Sequence, residues 1–207
     1  MKVNIKKFGL RVNFFLRMVR KLFSMDLLIF KAKLQRLYPV VRESIADHSL
    51  IASVMVLLFV HDSKVFILMT RRSRHLKIHP GEMSFPGGRY EKEDGNLLIT
   101  ALRETKEEVG VDLNESQVSA TLPIVRTLTG YSITPYVIIL QERPRVGELS
   151  DEVDEVFEIP LVSLLSTQKK NTEYKAEENK YVYWHDANRI WGASAKILQE
   201  IERLRTI

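Results

Sequence analysis

The chain has 207 residues, of which 45% are apolar, enough for one large domain with appendages and a real core. It contains no cysteine, which excludes disulfides, thiolate metal centres and cysteine nucleophiles. The net charge of +5 is unevenly spread: residues 1–25 hold seven Lys or Arg and no acid, leaving −2 for the rest, so a nucleic-acid partner is not expected.

Residues 1–24 form a basic extension with interleaved Phe8, Phe14, Phe15, Leu22 and Phe23. Three readings are open for it: a helix lying on an anionic membrane surface, a disordered or domain-packing tail, or an extension upstream of a true start at Met25. From Met25 to Ile207 the text reads as one domain. Leu27, Leu28, Phe30, Leu34 and Leu37 recur at helical spacing until Tyr38-Pro39, where proline ends the helix.

Ser49 to Val60 and Lys64 to Thr70 read as two strands joined by a short polar turn. The apolar run Ile51 to Val60 is about half the ~20 residues that a membrane-spanning helix needs. Arg71 to Ser84 is expected as a loop, with a turn at Pro80-Gly81. Asn96 can cap a helix from Leu97 to Val109 that Gly110 closes, packing through Leu98, Leu102, Thr105 and Val109.

Further strands are expected at Val118 to Arg126, Ser132 to Leu140 and Glu155 to Ile159, then a short helix from Pro160 to Leu165. A polar hairpin over Lys169 to Lys180, a strand from Tyr181 to His185 and a helix from Ala193 to Leu204 complete the chain. Interleaved strands and helices favour an α/β layer architecture.

The chemistry concentrates after Phe85-Pro86-Gly87-Gly88. Glu104, Glu107 and Glu108 stand roughly opposite the packing stripe of the Leu97–Val109 helix. Glu104 and Glu108 are like charges four residues apart, which weakens a bare helix by a few tenths of a kcal/mol. A hard divalent cation between them would reverse that penalty, and such cations usually serve phosphate chemistry. Arg103 can brace Glu107 by an ion pair across one turn.

Gly88 to Val111 is similar to the Nudix box, Gly-x5-Glu-x7-Arg-Glu-U-x-Glu-Glu-x-Gly-U, with U a bulky apolar residue. The half from Arg103-Glu104 to Glu107-Glu108-Val109-Gly110-Val111 is intact. Two departures stand out: one added residue places Asp94 nine before Arg103, and Thr105 replaces an apolar U. Upstream, Leu68-Met69-Thr70-Arg71-Arg72-Ser73, Lys77, Gly81 and Phe85-Pro86-Gly87-Gly88 resemble the signature of the coenzyme A pyrophosphatase branch, with Met69 for Leu and Lys77 for Arg. Ile190-Trp191-Gly192-Ala193-Ser194-Ala195-Lys196-Ile197-Leu198 resembles that branch too.

The resemblance implies a Nudix fold, a mixed β-sheet sandwiched between helices. It implies Mg²⁺- or Mn²⁺-dependent cleavage of the pyrophosphate of coenzyme A or acyl-CoA, giving 3′,5′-ADP and (acyl-)4′-phosphopantetheine. Metal ligands would be Glu104, Glu107, Glu108 and the Gly88 carbonyl, with Arg103 supporting them. Arg72, Lys77 and Arg71 would contact the substrate, and Glu152 competes with Glu104 as general base. The alternatives are another nucleoside diphosphate derivative (ADP-ribose, NADH or a capped RNA end) and a non-catalytic ligand sensor of the same fold. A cytoplasmic location is expected, peripheral at a membrane if residues 1–24 bind one, and a homodimer is compatible with the sequence.

Overall fold

A computed structural model of the chain describes residues 27–42, 50–172 and 180–206. The basic extension, Met25, Ser49 and the centre of the expected Lys169–Lys180 hairpin lie outside those residues. In chain order the strands are β1 (Ile51–His61), β2 (Lys64–Arg72), β3 (Met83–Ser84), β4 (Gly87–Arg89), β5 (Val118–Thr121) and β6 (Val125–Arg126). They continue as β7 (Ser132–Leu140), β8 (Val153–Pro160), β9 (Lys169–Lys170), β10 (Tyr181–His185) and β11 (Asn188–Ile190). The helices are α1 over 27–37, α2 (Leu97–Val109), α3 (Leu161–Leu165) and α4 (Gly192–Thr206).

The apolar run becomes the central strand β1. It pairs antiparallel with β2, whose connecting residues Asp62 and Ser63 both have positive φ (45° and 59°). That two-residue turn follows the twist of the flanking strands. On its other side β1 runs parallel to β7, from Ile51 opposite Ser132 to Phe59 opposite Leu140. The path β3-β2-β1-β7-β5, with β4 on β1, β6 on β7 and β8 on β2, makes a mixed eight-stranded sheet. A three-stranded sheet, β11-β10-β9, stands beside it.

Both faces of β1 are covered, which is why its text is apolar without alternation. Met55, Leu57 and Phe59 pack with Leu97, Leu98, Ala101 and Val109 of α2. Val56 and Leu58 pack on the other side with Leu27 and Leu34 of α1, Leu161 and Leu164 of α3, and Leu198 and Ile201 of α4. The mixed sheet between helices is therefore the fold, as expected.

Two local expectations are corrected, and two short strands are added. Arg71 and Arg72 continue β2, because β3 and β8 supply hydrogen-bonding partners that a loop would lack. The expected strand Val118–Arg126 breaks into β5 and β6 around Pro123, which has no N–H for the ladder. Gly87 and Gly88 lie in a short strand, β4, paired with β1. Asn188–Ile190 adds β11 through a tight turn at Asp186, φ 51°. Among the described residues no helix is long and apolar enough to cross a membrane.

Candidate active site

The site begins with close backbone approach. Gly87 pairs with Val54 at φ +152°, and a Cβ there would lie 2.3 Å from the Ser53 carbonyl oxygen. At Gly88 a Cβ would instead fall 2.3 Å from the Glu104 carboxylate. The bare backbone of Gly88 thus gives the Glu104 carboxylate its place. Helix α2 is aimed there by its N-cap: Asn96 Oδ1 accepts from Leu98 N (3.0 Å) and Ile99 N (3.1 Å). Gly110 ends it in the left-handed region at φ 65°.

The three carboxylates are not equivalent, contrary to the simple two-faced reading of the helix. Glu108 is only 5% exposed; its Oε2 accepts from Gly87 N at 3.2 Å, and Oε1 lies 3.7 Å from Arg72 Nη1. Burial pushes its carboxyl up to about 7, against the pull of the Gly87 N–H and Arg72, and the charges of Glu104 and Glu152 add to the rise. Glu104 is also raised, by burial first, with Arg103 opposing and Glu107 and Glu152 reinforcing. Glu107 is largely exposed and held by Arg103 Nη1 at 2.9 Å.

Thr105 explains one departure from the box pattern. It is fully buried in the α2 packing face, and its hydroxyl donates to the Ala101 carbonyl at 2.6 Å. A polar side chain is tolerated there because the helix itself satisfies it. Leu102, by contrast, is only partly buried.

Asp94, named from sequence only as a departure from the pattern, is the anchor of Arg103. It accepts from Arg103 Nε at 2.8 Å and Nη2 at 3.0 Å, from Thr100 Oγ1 at 2.8 Å and from Glu91 N at 3.1 Å. Burial alone would raise its pKa; hydrogen bonds from Arg103, Thr100 and the Glu91 N–H outweigh it and hold the carboxyl below its ordinary value. Arg103, raised further by Asp94, then reaches Glu104 at 3.0 Å and Glu107. The available signal was an acid in the turn before a helix whose arginine follows nine residues later. Asp94→Asn should lower stability by roughly 2 kcal/mol, the scale of charged hydrogen bonds, in a urea melt at neutral pH. The difference should shrink in acid as the wild-type Asp94 protonates.

Glu152 reaches the site by way of a remote loop. Gly147 N donates to Val109 O at 2.9 Å, Ser150 N to Glu108 O at 3.2 Å, and Ser73 N to Glu152 O at 2.8 Å. The first contact requires two glycines, since a Cβ on Gly110 would lie 2.6 Å from Gly147 Cα. Arg72 bridges the result, standing 3.7 Å from Glu108 and 3.3 Å from Glu152.

The structure therefore brings Glu104, Glu108, Glu152, Arg72 and Arg103 together, with Glu107 at the rim. It does not bring Arg71 or Lys77 into that cluster. Arg71 turns to the opposite face of the sheet, pairing with Glu155 at 2.8 Å and lying over the Phe157 ring at 5.7 Å. Lys77 is exposed in the 73–81 loop. His79 sits at φ 55° with Nδ1 3.0 Å from Glu82.

Among the described residues no three His, Cys, Asp or Glu side chains form a closed metal cage. The donors nevertheless suit a hard cation of the Mg²⁺ or Mn²⁺ type. Such an ion uses one or two carboxylates and leaves other positions to water and phosphate oxygens. Glu108 is buried and Glu104 partly buried, and desolvation raises both carboxyls, beside a backbone no side chain shields.

A sequence profile of the NUDIX domain matches residues 50–196. A protein of Pectobacterium atrosepticum described as an uncharacterised Nudix hydrolase NudL is 34% identical over 154 residues, covering 72% of this chain and 80% of the relative. One of Escherichia coli with the same description is 31% identical over 182 residues, covering 86% and 94%. Among solved structures, the NUDIX domain of Shewanella oneidensis NrtR, complexed with ADP ribose, superposes with a TM-score of 0.55 at 19% identity, covering 78% of this chain and 91% of that one. That likeness speaks to fold. The chain belongs to the Nudix family and is a Nudix hydrolase.

Proposed function

We propose that this enzyme hydrolyses the pyrophosphate bond of coenzyme A or its thioesters. The observation that carries the reading is continuity: the segment Leu68–Gly88 that resembles the coenzyme A branch leads along β2 directly to Arg72, which lies beside Glu108 and Glu152. Substrate phosphates would meet a guanidinium able to offer two parallel donors. The exposed loop beyond it adds Arg74, His75 and Lys77.

Glu104, Glu107, Glu108 and the Gly88 carbonyl would hold Mg²⁺ or Mn²⁺. When bound, the cation supplies neutralisation of phosphate charge and acidification of water. Arg103, fixed by Asp94, keeps Glu104 and Glu107 in place. A carboxylate of Glu152 or Glu104 takes a proton from the attacking water as a new P–O bond forms and the bridging P–O bond breaks. Glu152 is the more exposed of the two, which favours it as the base that returns its proton to solvent.

The test is turnover of CoA, an acyl-CoA, NADH and ADP-ribose by the full chain under Mg²⁺ and under Mn²⁺, with products identified by chromatography. We expect CoA or acyl-CoA to be cleaved to 3′,5′-ADP with the highest kcat/KM. Cleavage of ADP-ribose with none of CoA would overturn the assignment. No turnover of CoA or acyl-CoA under either metal would overturn it as well.

A further inference from the structure

Arg89 is exposed, and its guanidinium lies over the Tyr131 ring, 5.2 Å from the centroid. Among the described residues no carboxylate pairs with it, whereas Arg71, Arg72, Arg103 and Arg143 all have acidic partners. An arginine held by a ring face keeps its N–H fork available for an oxyanion.

Both members of the pair are held in position. The Arg89 carbonyl accepts from Arg103 Nη2 at 3.3 Å, which ties this strand to the acid helix. Tyr131 closes a tight turn: Tyr131 N donates to Thr127 Oγ1 and Thr127 N to Tyr131 O, both at 2.9 Å, with Gly130 at φ 88°. The turn ends where β7 begins beside the start of β1, while β4 lies on the other flank of β1.

The alternation of β4 sets what this cation can reach. Gly88 faces Glu104, so the next side chain leaves on the opposite face of the strand. Arg89 is adjacent to the carboxylate cluster in the chain but does not share its pocket. A substrate whose diphosphate lies at Glu104, Glu108 and Arg72 would meet Arg89 only with a further group that passes the edge of β4.

We propose that Arg89, stacked on Tyr131, is a subsite for a phosphomonoester on the nucleoside part of the substrate. The inference rests on the nucleoside diphosphate reading above and extends it to a residue outside the coenzyme A signature. A ribose phosphate carries up to two negative charges and matches a bidentate guanidinium.

Binding of 3′,5′-ADP and of 5′-AMP to the full chain, measured by calorimetry, tests this without requiring turnover. In the wild type 3′,5′-ADP should bind at least about tenfold tighter than 5′-AMP. In Arg89→Ala the ratio should fall to about one, in Arg89→Lys to an intermediate value, and in Tyr131→Leu it should drop while Tyr131→Phe retains it. Equal affinities in the wild type, no measurable binding of 3′,5′-ADP, or a preference that survives Arg89→Ala would each overturn the subsite. Wild-type hydrolysis of CoA is read separately, so the two inferences can fail independently.

Discussion

Replacing Glu108 with Gln should cut turnover by at least about a hundredfold and, in the metal-free protein near pH 8, raise the melting temperature. Glu108 is 5% exposed and its pKa is pushed to about 7 from an ordinary 4.5, chiefly by burial. The folded state therefore holds this proton longer than the unfolded chain does. Below the unfolded value both states are protonated and Glu108 imposes no penalty. Between 4.5 and about 7 the unfolded chain ionises first, so stability falls as pH rises, and above that window the loss is constant. The full shift corresponds to about 3 kcal/mol, or roughly 6–12 °C for a domain of this size.

Gln keeps the acceptor for Gly87 N without the charge, so it should remove the penalty near pH 8 and change little near pH 4.5. Thermal melts with a chelator across that range would check it. Mg²⁺ should then raise the wild-type melting temperature more near pH 8 than near pH 6, since ligand carboxylates must be ionised, and should do little for the variant. A variant less stable than wild type near pH 8 would mean that Arg72 and the Gly87 N–H already compensate the charge.

The paired substitutions Gly87→Ala and Gly88→Ala should fail in different ways. At Gly87 a Cβ would stand 2.3 Å from Ser53 O and 2.6 Å from Val54 Cα, with φ at +152°. Both atoms belong to the backbone of the central strand, which cannot retreat without losing its pairing. A loss of more than about 3 kcal/mol is expected, enough to unfold a marginal domain. At Gly88 the obstruction is the Glu104 carboxylate, the free end of a side chain. That variant should fold within about 1 kcal/mol of wild type yet lose roughly a hundredfold or more in turnover, because Glu104 must swing away. Urea melts beside steady-state kinetics separate the two. Equal destabilisation by both would make Gly88 a structural glycine only.

Local energetics made much of this fold readable. Asn96 and Gly110 bound α2 by satisfying end groups within a few residues of themselves, and the run in β1 demanded burial on both faces. The same locality misled where partners were distant. Arg71 and Arg72 read as loop because their ladder partners, Glu155 and Val153, lie some eighty residues on. Arg71 read as a companion of Arg72, yet strand pairing turned it toward Glu155 and Phe157 on the far face.

By itself, then, the sequence determined the central strand and the capped helix with its three carboxylates, since each depends on neighbours within a turn or a pleat. Only the tertiary structure decided which acid is buried and which is wet. Glu108 is enclosed between Gly87, Arg72 and a loop whose Ser150 N reaches its carbonyl. Solvent exclusion is a property of all the elements that meet at a point, and no one segment carries it.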